Sequence, residues 1–282
     1  MKYIDFYGHK LSKLIVGDNP FNGHSYIWFK IPGTEMSDYH TEDVVLECIH
    51  KMEELGINTM LPLADPFMMR VLRHYRNNGG KMNFIIQHYA PMNLEASIRQ
   101  MESIEPIGAY ISGSFIDCSF ENGDINAIHE KIKTLRTLGV KTGFGTHHPE
   151  VIKKSEAEGW DADFYMACMY DLRRGRRGEA SGFLTGKSKA DIVVVPEDRP
   201  VMLETLKSVQ RPVIAFKIFG GGQMLVDKTK EERAGLITDA YDTIFSTLKP
   251  NDFAVMGIFQ KYHDQLTENV ELFNKWAEKK GI

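Results

Sequence analysis

Short apolar runs alternate with longer amphipathic stretches along nearly the whole chain. A run of four or five mostly apolar residues bounded by glycine or polar residues is typical of a strand buried on both faces. Eight such runs predict strands at 13–16, 58–61, 83–87, 108–112, 141–145, 164–168, 213–216 and 253–256.

The amphipathic stretches between these runs predict helices. Between residues 41 and 55, Val45, Cys48, Ile49 and Met52 recur at helical spacing on one face, and acidic residues occupy the other. The same pattern predicts helices at 92–103, 125–138, 150–158, 200–209, 230–248 and 264–280. Strands that alternate with helices indicate right-handed parallel units, and eight such units close into a TIM (β/α)8 barrel.

An open doubly wound sheet is the alternative fold. That fold has a G-x-G-x-x-G turn after its first strand, and the segment Gly17-Asp18-Asn19-Pro20 does not match it. The chain has 282 residues, which suits one barrel of about 250 residues with some insertions. We therefore predict an α/β fold with a single barrel domain over 1–282.

Three segments outside the strand–helix units have predicted roles. Strand-like runs on both sides of Gly8-His9 predict an N-terminal β-hairpin over 1–12 that plugs the amino end of the barrel. The insertions at 21–38 and 171–191 follow the first and sixth strands, on the face where barrel enzymes bind substrates. We interpret both as lids, and the alternative is that they are long loops without a function.

The net charge and the cysteine spacing indicate which ligands and which cellular compartment to expect. The net charge is −4, which gives no basis for binding nucleic acid or an anionic membrane. The three cysteines, Cys48, Cys118 and Cys168, show neither the spacing of a zinc site nor a disulfide framework, which favours a reducing compartment. We therefore expect a cytoplasmic protein with a small-molecule substrate, and we leave homo-oligomer formation open.

Four segments resemble the aldo-keto reductases. The opening KYIDFYGHKLSKLIVG is similar to that family's hairpin and first strand, and LGINTMLPLAD at 55–65 is similar to its second strand. PVIAFKIFGGG at 212–222 resembles its seventh strand, and FAVMGIFQKYHDQLTENVELF at 253–273 resembles its closing segment. The resemblance implies the barrel fold, and it aligns Glu268 and Asn269 with the pair that contacts the adenine of NADPH in the family.

The chain departs from the family at its catalytic and phosphate-binding positions. The family's tetrad is Asp, Tyr, Lys and His, and basic residues hold the cofactor's 2′-phosphate. This chain has Leu61 in place of the Asp, Gln87-His88 in place of the Lys and Ser112-Gly113 in place of the His, and no Tyr follows its second strand. Phe259 and Gln265 stand at the phosphate-binding positions. The resemblance therefore implies the fold without the activity, and NAD(P) is a doubtful cofactor. The segments GDNPFNG at 17–23 and GTHHPE at 145–150 also resemble a group of uncharacterised bacterial barrel proteins.

Lys217 is the strongest candidate for a catalytic residue. It follows the apolar run 213–216, and two-residue alternation predicts that Val213, Ala215 and Lys217 face the same way. A buried ammonium is costly unless it is paired or used, so we predict a proton-transfer, Schiff-base or oxyanion-binding role. The alternative is a structural ion pair with Asp18 or another acid.

Two histidines at strand ends are further catalytic candidates. His147 lies on the same face of its strand as Gly143 and Gly145, and His88 follows the third strand. Imidazole can act as an acid, a base or a metal ligand at neutral pH. We predict a catalytic set of Lys217, His147, His88 and Asp18. If a divalent metal is bound, we expect Asp18, His88 and His147 as its ligands, although no metal-binding motif supports this.

Other polar residues after the strands suit a hydroxyl-rich ligand. The predicted substrate-binding residues are Asn19, Asn22, His24, Gln87, Ser112 and Tyr170. Gly220, Gly221 and Gly222 follow strand seven, where barrels commonly bind phosphate, so we predict an anion or cofactor site there.

We interpret the chain as an enzyme of carbohydrate metabolism that acts on a small polar carbonyl or sugar-like substrate by proton transfer. The reaction type would be that of an isomerase, an epimerase, or a lyase or hydratase. One alternative is an aldo-keto reductase-like oxidoreductase with a rearranged tetrad. Another is a non-catalytic ligand-binding barrel.

Overall fold

Eight parallel strands form a closed barrel, as the alternating pattern predicts. The computed structural model describes residues 1–173 and 193–281. A two-stranded antiparallel hairpin, β1 (Tyr3–Phe6) and β2 (His9–Ser12), precedes the barrel. The barrel strands are β3 (Leu14–Gly17), β4 (Thr59–Leu61), β5 (Asn83–Gln87), β6 (Gly108–Ile111), β7 (Lys141–Thr146), β8 (Phe164–Cys168), β9 (Val213–Phe216) and β10 (Phe253–Gly257). They follow one another in sequence order around the barrel, and β10 pairs with β3 to close it.

Ten helices surround the barrel in the described part of the chain. They are α1 (Gly33–Tyr39), α2 (Glu42–Glu54), α3 (Pro66–Asn77), α4 (Leu94–Glu102), α5 (Gly113–Glu121), α6 (Ile125–Leu135), α7 (Pro149–Glu158), α8 (Asp198–Leu206), α9 (Lys230–Phe245) and α10 (Gln265–Lys280). The amphipathic pattern does not predict α1, α3 and α5. Helix α3 nevertheless has a clear start, because Asp65 caps the amides of Phe67 and Met68 and Pro66 occupies the first turn.

The predicted hairpin is present, and it closes the amino end of the barrel. Phe6 is fully buried there, and its ring lies 5.5 Å from the ring of Phe164 and 5.5 Å from that of Phe253, both edge to face. Ile4 and Leu11 of the hairpin join the same apolar cluster as the inward side chains of the barrel. Side chains therefore fill the amino end of the barrel, and the barrel is open at the carboxyl ends of its strands.

The strands bury both faces, and β9 corrects one detail of the prediction. Ile214 packs in the inner cluster of the barrel, whereas Val213 and Ala215 pack in the outer core beneath the helices. The prediction that Val213, Ala215 and Lys217 share a face is therefore wrong. Lys217 follows the end of β9 with a φ of +56°, so the two-residue alternation ends before it.

The two predicted lids differ in what the structure describes. Most of the 171–191 insertion lies outside the described residues. The 21–38 insertion contains the start of α1, and its residues Tyr26, Ile27 and Lys30 line the cavity at the open end of the barrel. No helix in 1–173 or 193–281 is long and apolar enough to cross a membrane.

We predict that Phe6→Ala lowers the free energy of unfolding by about 3–5 kcal/mol, the usual cost of truncating a buried phenylalanine. The ring is fully buried between Phe164 and Phe253, so its removal leaves a cavity in the barrel floor. Chemical denaturation measures the change. The matched control is Phe29→Ala, because Phe29 is 60% exposed and should cost under about 1 kcal/mol. Equal losses in the two variants would contradict a structural role for the hairpin.

Candidate active site

A cavity of about 390 Å³ opens at the carboxyl ends of the barrel strands. This is the end at which barrel enzymes bind their substrates. The predicted site residues that line the cavity are Asp18, Asn19, His24, Gln87, Ser112, His147, Lys217, Gly221, Gly222, Glu268 and Asn269. The predicted site residues that lie outside its wall are Asn22, His88, Tyr170 and Gly220.

Lys217, His147 and Asp117 form a hydrogen-bonded chain at the wall of this cavity. The Nζ of Lys217 lies 3.2 Å from Nε2 of His147, and Nδ1 of the same ring lies 2.6 Å from Oδ2 of Asp117. A carboxylate only accepts hydrogen bonds, so Nδ1 of His147 carries a proton and Nε2 faces Lys217. When the ring is neutral, the contact between Nζ and Nε2 joins one donor to one acceptor.

The strand register brings these groups together. Thr146 of β7 is level with Ala167 of β8, and Cys168 of β8 is level with Phe216 of β9. The residues that come next, His147 and Lys217, therefore follow the ends of β7 and β9, on either side of Cys168. The positive φ of Lys217 turns its side chain toward the cavity, where it lies beside His147.

Asp117 was not among the predicted site residues. It is fully buried on α5, and it accepts hydrogen bonds from the Thr146 hydroxyl at 2.5 Å and from the backbone amide of His147 at 3.1 Å. The signal that could have revealed it is an acid in the middle of the otherwise mostly apolar and small-residue segment GSFIDCSF at 113–120. A buried carboxylate needs several hydrogen-bond donors, so a buried acid of this kind is a candidate site residue.

Neighbouring charges shift the pKa values of this cluster. Burial lowers the pKa of His147, as Lys217 does, but Cys168 and Asp117 raise it to about 9. Burial also lowers the pKa of Lys217, and Tyr26 together with Cys168 raises it above its usual value. Burial raises the pKa of the Cys168 thiol, whereas the charges of His147 and Lys217 lower it, with a net decrease. Proton positions in this cluster therefore depend on one another.

Asp18 lies apart from this chain, so the structure does not show it orienting Lys217 or His147. Its Oδ2 accepts the backbone amide of Leu63 at 2.7 Å and the side-chain amide of Asn22 at 2.7 Å. Burial raises the pKa of Asp18 to about 7 despite these donors. Tyr110, also on the cavity wall and 5% exposed, is close enough for the Asp18 charge to raise its pKa further.

His88 does not face the cavity, contrary to its predicted place beside His147. It is fully buried behind the barrel wall, and its Nδ1 lies 3.4 Å from the amide of Ser112. Burial and the nearby Lys131 ammonium lower the pKa of His88 to about 3, so the ring is neutral. Gln87 lines the cavity, and alternation therefore sends the next residue outward.

The metal site considered for Asp18, His88 and His147 is not formed. Within 1–173 and 193–281, no group of three or more His, Cys, Asp or Glu side chains is arranged to hold a metal ion. His88 lies on the outer side of the wall, away from the other two.

Tyr170 also lies outside the cavity wall, so its predicted contact with substrate is not supported. Its side chain is almost fully buried, and its hydroxyl oxygen accepts a hydrogen bond from Nε of Arg199 at 3.1 Å. The same hydroxyl lies 3.0 Å from the sulfur of Met224. Tyr170 therefore anchors the start of α8 near the loop after β9.

The three glycines after β9 form a tight turn and not an open anion cradle. The amide of Gly220 donates to the carbonyl of Lys217 at 2.8 Å, and the amide of Gly222 donates to the carbonyl of Phe219 at 3.0 Å. Two of the three amides are therefore used within the turn. Gly221 instead admits the ring of Tyr26.

Glu268 and Asn269 lie at the far end of the cavity and already have protein partners. Glu268 accepts from Arg233 at 3.1 Å, and Asn269 accepts from the hydroxyl of Tyr241 at 3.0 Å. In the aldo-keto reductases this pair contacts adenine, and basic residues hold the 2′-phosphate where this chain has Phe259 and Gln265. The residues present therefore do not fit the family's way of holding NADPH.

Comparisons with known proteins relate the chain to barrel enzymes. No protein-family model matches the chain, and no curated protein matches it. The aldo-keto reductase AKR11C1 from Bacillus halodurans, in its holo form, is similar over 99% of this chain and 95% of its own, with 11% identity and a TM-score of 0.55. The glycerol dehydrogenase AKR11B4 from Gluconobacter oxydans matches over 98% and 95%, with 12% identity and a TM-score of 0.53. The Xanthomonas albilineans dihydropteroate synthase bound to indole-2-carboxylic acid and 6-chloroguanine matches over 99% and 98%, with 12% identity and a TM-score of 0.52.

The chain therefore shares the (β/α)8-barrel fold of these enzymes, aldo-keto reductases among them. At these identities the likeness concerns the fold alone. The neighbours are enzymes, but a dehydrogenase and a synthase match almost equally well, so the fold does not select a reaction.

We predict that Asp18→Asn stabilises the protein at pH 8 relative to pH 5. The pKa of Asp18 is about 7 in the folded state against 3.8 in the unfolded chain, so folding favours the protonated carboxyl. The stability that this proton gives is present below pH 4 and is lost as the pH rises through 7. Because one pKa unit is worth about 1.4 kcal/mol, we expect the variant to gain about 1–3 kcal/mol over wild type between pH 5 and pH 8.

Denaturant unfolding at the two pH values measures this difference. Asp239→Asn is the matched control, because Asp239 is exposed on α9 and should show no such gain. The prediction fails if the stability difference between Asp18→Asn and wild type is the same at both pH values.

Proposed function

We propose that this protein is an enzyme that transfers a proton at a carbon next to a carbonyl group in a small, sugar-like substrate. The observation that carries the proposal is the chain from Lys217 to His147 at 3.2 Å and from His147 to Asp117 at 2.6 Å, at the wall of the cavity. A base whose tautomer is fixed by a buried carboxylate, next to an ammonium, is suited to general acid–base catalysis.

In this proposal Lys217 acts on the substrate oxygen. Its ammonium donates a hydrogen bond to the carbonyl oxygen and stabilises the negative charge that develops there when the neighbouring carbon loses a proton. The partly buried cavity strengthens this interaction relative to water. The raised pKa of Lys217 supports a charged amine at neutral pH.

His147 acts on the substrate proton. In the neutral form of the ring, whose fraction grows as the pH rises toward the His147 pKa of about 9, Nε2 takes the proton from carbon. A C–H bond breaks, an N–H bond forms, and the electron pair moves toward the oxygen held by Lys217. Asp117 accepts from Nδ1 and stabilises the imidazolium that results. Return of the proton to the carbonyl carbon gives an isomer, with the proton of the neighbouring hydroxyl moving to the former carbonyl oxygen. Return to the opposite face of the same carbon gives an epimer. Departure of a β-hydroxyl as water, with the proton supplied by the imidazolium, gives an elimination.

The polar lining supports a hydroxyl-rich substrate. Asp18, Asn19, Gln87 and Ser112 line the cavity around the site, and Tyr110 adds a hydroxyl from the barrel interior. These groups can both donate to and accept from sugar hydroxyls. Asp18 can do either near neutral pH, because its pKa is about 7.

We expect the protein to exchange substrate C–H for C–D in D₂O when it is incubated with a panel of keto- and aldo-sugars and followed by proton NMR. Lys217→Ala should lower the exchange rate by about 10²–10⁴-fold, the usual contribution of a positioned acid or base. The matched control is Lys207→Ala, at an exposed position following α8, which should exchange like wild type. A Lys217→Ala variant with the wild-type rate on every active sugar would rule out the proposed mechanism.

An aldo-keto reductase-like oxidoreductase is the second candidate, because the cavity extends as far as Glu268 and Asn269. Titration with NADPH and NADH, followed by nicotinamide fluorescence, separates the two candidates. We expect no saturable change with either cofactor at millimolar concentration. Phe259 and Gln265 offer the 2′-phosphate of NADPH no positive charge, and Glu268 and Asn269 already bond Arg233 and Tyr241. A saturable signal that ADP-ribose competes away would instead favour the reductase.

A non-catalytic ligand-binding barrel is the remaining alternative. It predicts that Lys217 and His147 are both saturated by ion pairs and closed to solvent. His147 does pair with Asp117 at 2.6 Å. Lys217 lines the cavity, however, and its polar partners in the described part of the chain, His147 and Tyr26, are not carboxylates, which argues against this alternative.

A further inference from the structure

The loop after β3 crosses the mouth of the barrel and is tied to the loop after β9. The side-chain amide of Gln223 donates to the carbonyl of Tyr26 at 2.9 Å. The ammonium of Lys30 lies 2.5 Å from the carboxylate of Asp227. These two contacts hold the segment around Tyr26 over the residues that follow β9.

Gly221 is what allows this close approach. A Cβ atom at Gly221 would lie 2.7 Å from Cβ and 2.8 Å from Cγ of Tyr26, distances that real Cβ atoms essentially never show. The φ of Gly221 is +64°, a conformation that other residues rarely adopt. Both the space and the backbone at this position therefore require glycine while Tyr26 is in place.

The Tyr26 side chain reaches the ammonium of Lys217. The Nζ of Lys217 lies 4.6 Å from the centre of the Tyr26 ring and 4.9 Å from that of Phe216, within the range of cation–π contacts. The side chain of Tyr26 also hydrogen-bonds Lys217. Tyr26 lines the cavity, so this contact lies on the side open to a ligand.

We infer that Tyr26 is the positioning residue for Lys217: it holds the ammonium between its own side chain and His147, and Gly221 is present to admit it. The role rests on the proposed function of Lys217. The other groups facing this ammonium are Phe216 of β9, His147 after β7, Cys168 of β8 and, behind the histidine, Asp117 of α5. In the described part of the chain, Tyr26 reaches this ammonium from the loop after β3, whereas the other groups lie on strands, at strand ends or on α5.

Competitive acylation tests this inference without knowledge of the substrate. The native protein is treated at pH 9 with limiting acetic anhydride, and peptide mass spectrometry gives the reactivity of Lys217 relative to the exposed Lys207. Only the neutral amine reacts, and Tyr26 favours the charged amine. Tyr26→Phe keeps the ring and removes the hydroxyl, so the Lys217 to Lys207 ratio should rise, by about tenfold for each unit by which the pKa falls.

Gly221→Ala should raise the same ratio, because its methyl group displaces Tyr26. Gly159→Ala is the matched control, because Gly159 has a φ of +66° but nothing within 4 Å of an added Cβ, so it carries the backbone strain alone. A ratio within twofold of wild type in Tyr26→Phe overturns the inference. An equal rise in Gly159→Ala and Gly221→Ala overturns the role assigned to Gly221.

The exchange assay in D₂O then separates this inference from the proposed function. We expect Tyr26→Phe to lower the exchange rate and to shift its pH profile in the direction of the Lys217 pKa change. Exchange that needs Lys217 but is unchanged in rate and pH profile in Tyr26→Phe refutes the positioning role and leaves the function standing. If wild type exchanges no sugar, the proposed function fails, and the acylation ratio still decides whether Tyr26 controls Lys217.

Discussion

The buried carboxylate of Asp117 is the constraint on which the rest of the site depends. A buried carboxylate between α5 and β7 needs hydrogen-bond donors, and the Thr146 hydroxyl, the backbone amide of His147 and the Nδ1–H of its ring supply them. These bonds fix the ring of His147 with a protonated Nδ1, and they thereby present Nε2 to Lys217. Without the carboxylate, neither the tautomer nor the direction of the imidazole would be determined.

The cavity carries two titratable centres: one favours the charged form of its groups, and the other favours the neutral form. Around Lys217 and His147, burial lowers the pKa of both groups, but neighbouring negative charge outweighs burial and raises both. Around Asp18, burial outweighs the hydrogen bonds from Leu63 and Asn22 and keeps the carboxyl partly protonated near pH 7. Groups whose environments shift their pKa values in this way are common in sites that move protons. A buried acid that ionises at neutral pH weakens the fold.

The strand pattern predicted the barrel, its hairpin and the end at which the cavity opens, because those features follow from local periodicity. It was less successful for single side chains. Alternation from Gly143 and Gly145 put His147 on the cavity wall, and the same rule applied after Gln87 would have turned His88 outward. Lys217 lines the cavity for a reason the pattern does not contain, a left-handed φ after the strand end. Asp117 and Tyr26 reach the site through packing of a helix and a loop, which strand periodicity does not describe.

The polar groups at the strand ends of this barrel are placed differently from those of the aldo-keto reductases, although the fold is alike. The aldo-keto reductase tetrad positions lie on the second, third and fourth strands, and here they carry Leu61, Gln87 and Ser112. The hydrogen-bonded chain of this protein instead joins the fifth and seventh strands to a helix between the fourth and fifth. A closed barrel presents all eight strand ends to one cavity, so moving the polar groups around the ring leaves the packing of the core almost untouched. For the function of this protein, the positions of Lys217, His147 and Asp117 are therefore more informative than the likeness of the whole barrel to a reductase.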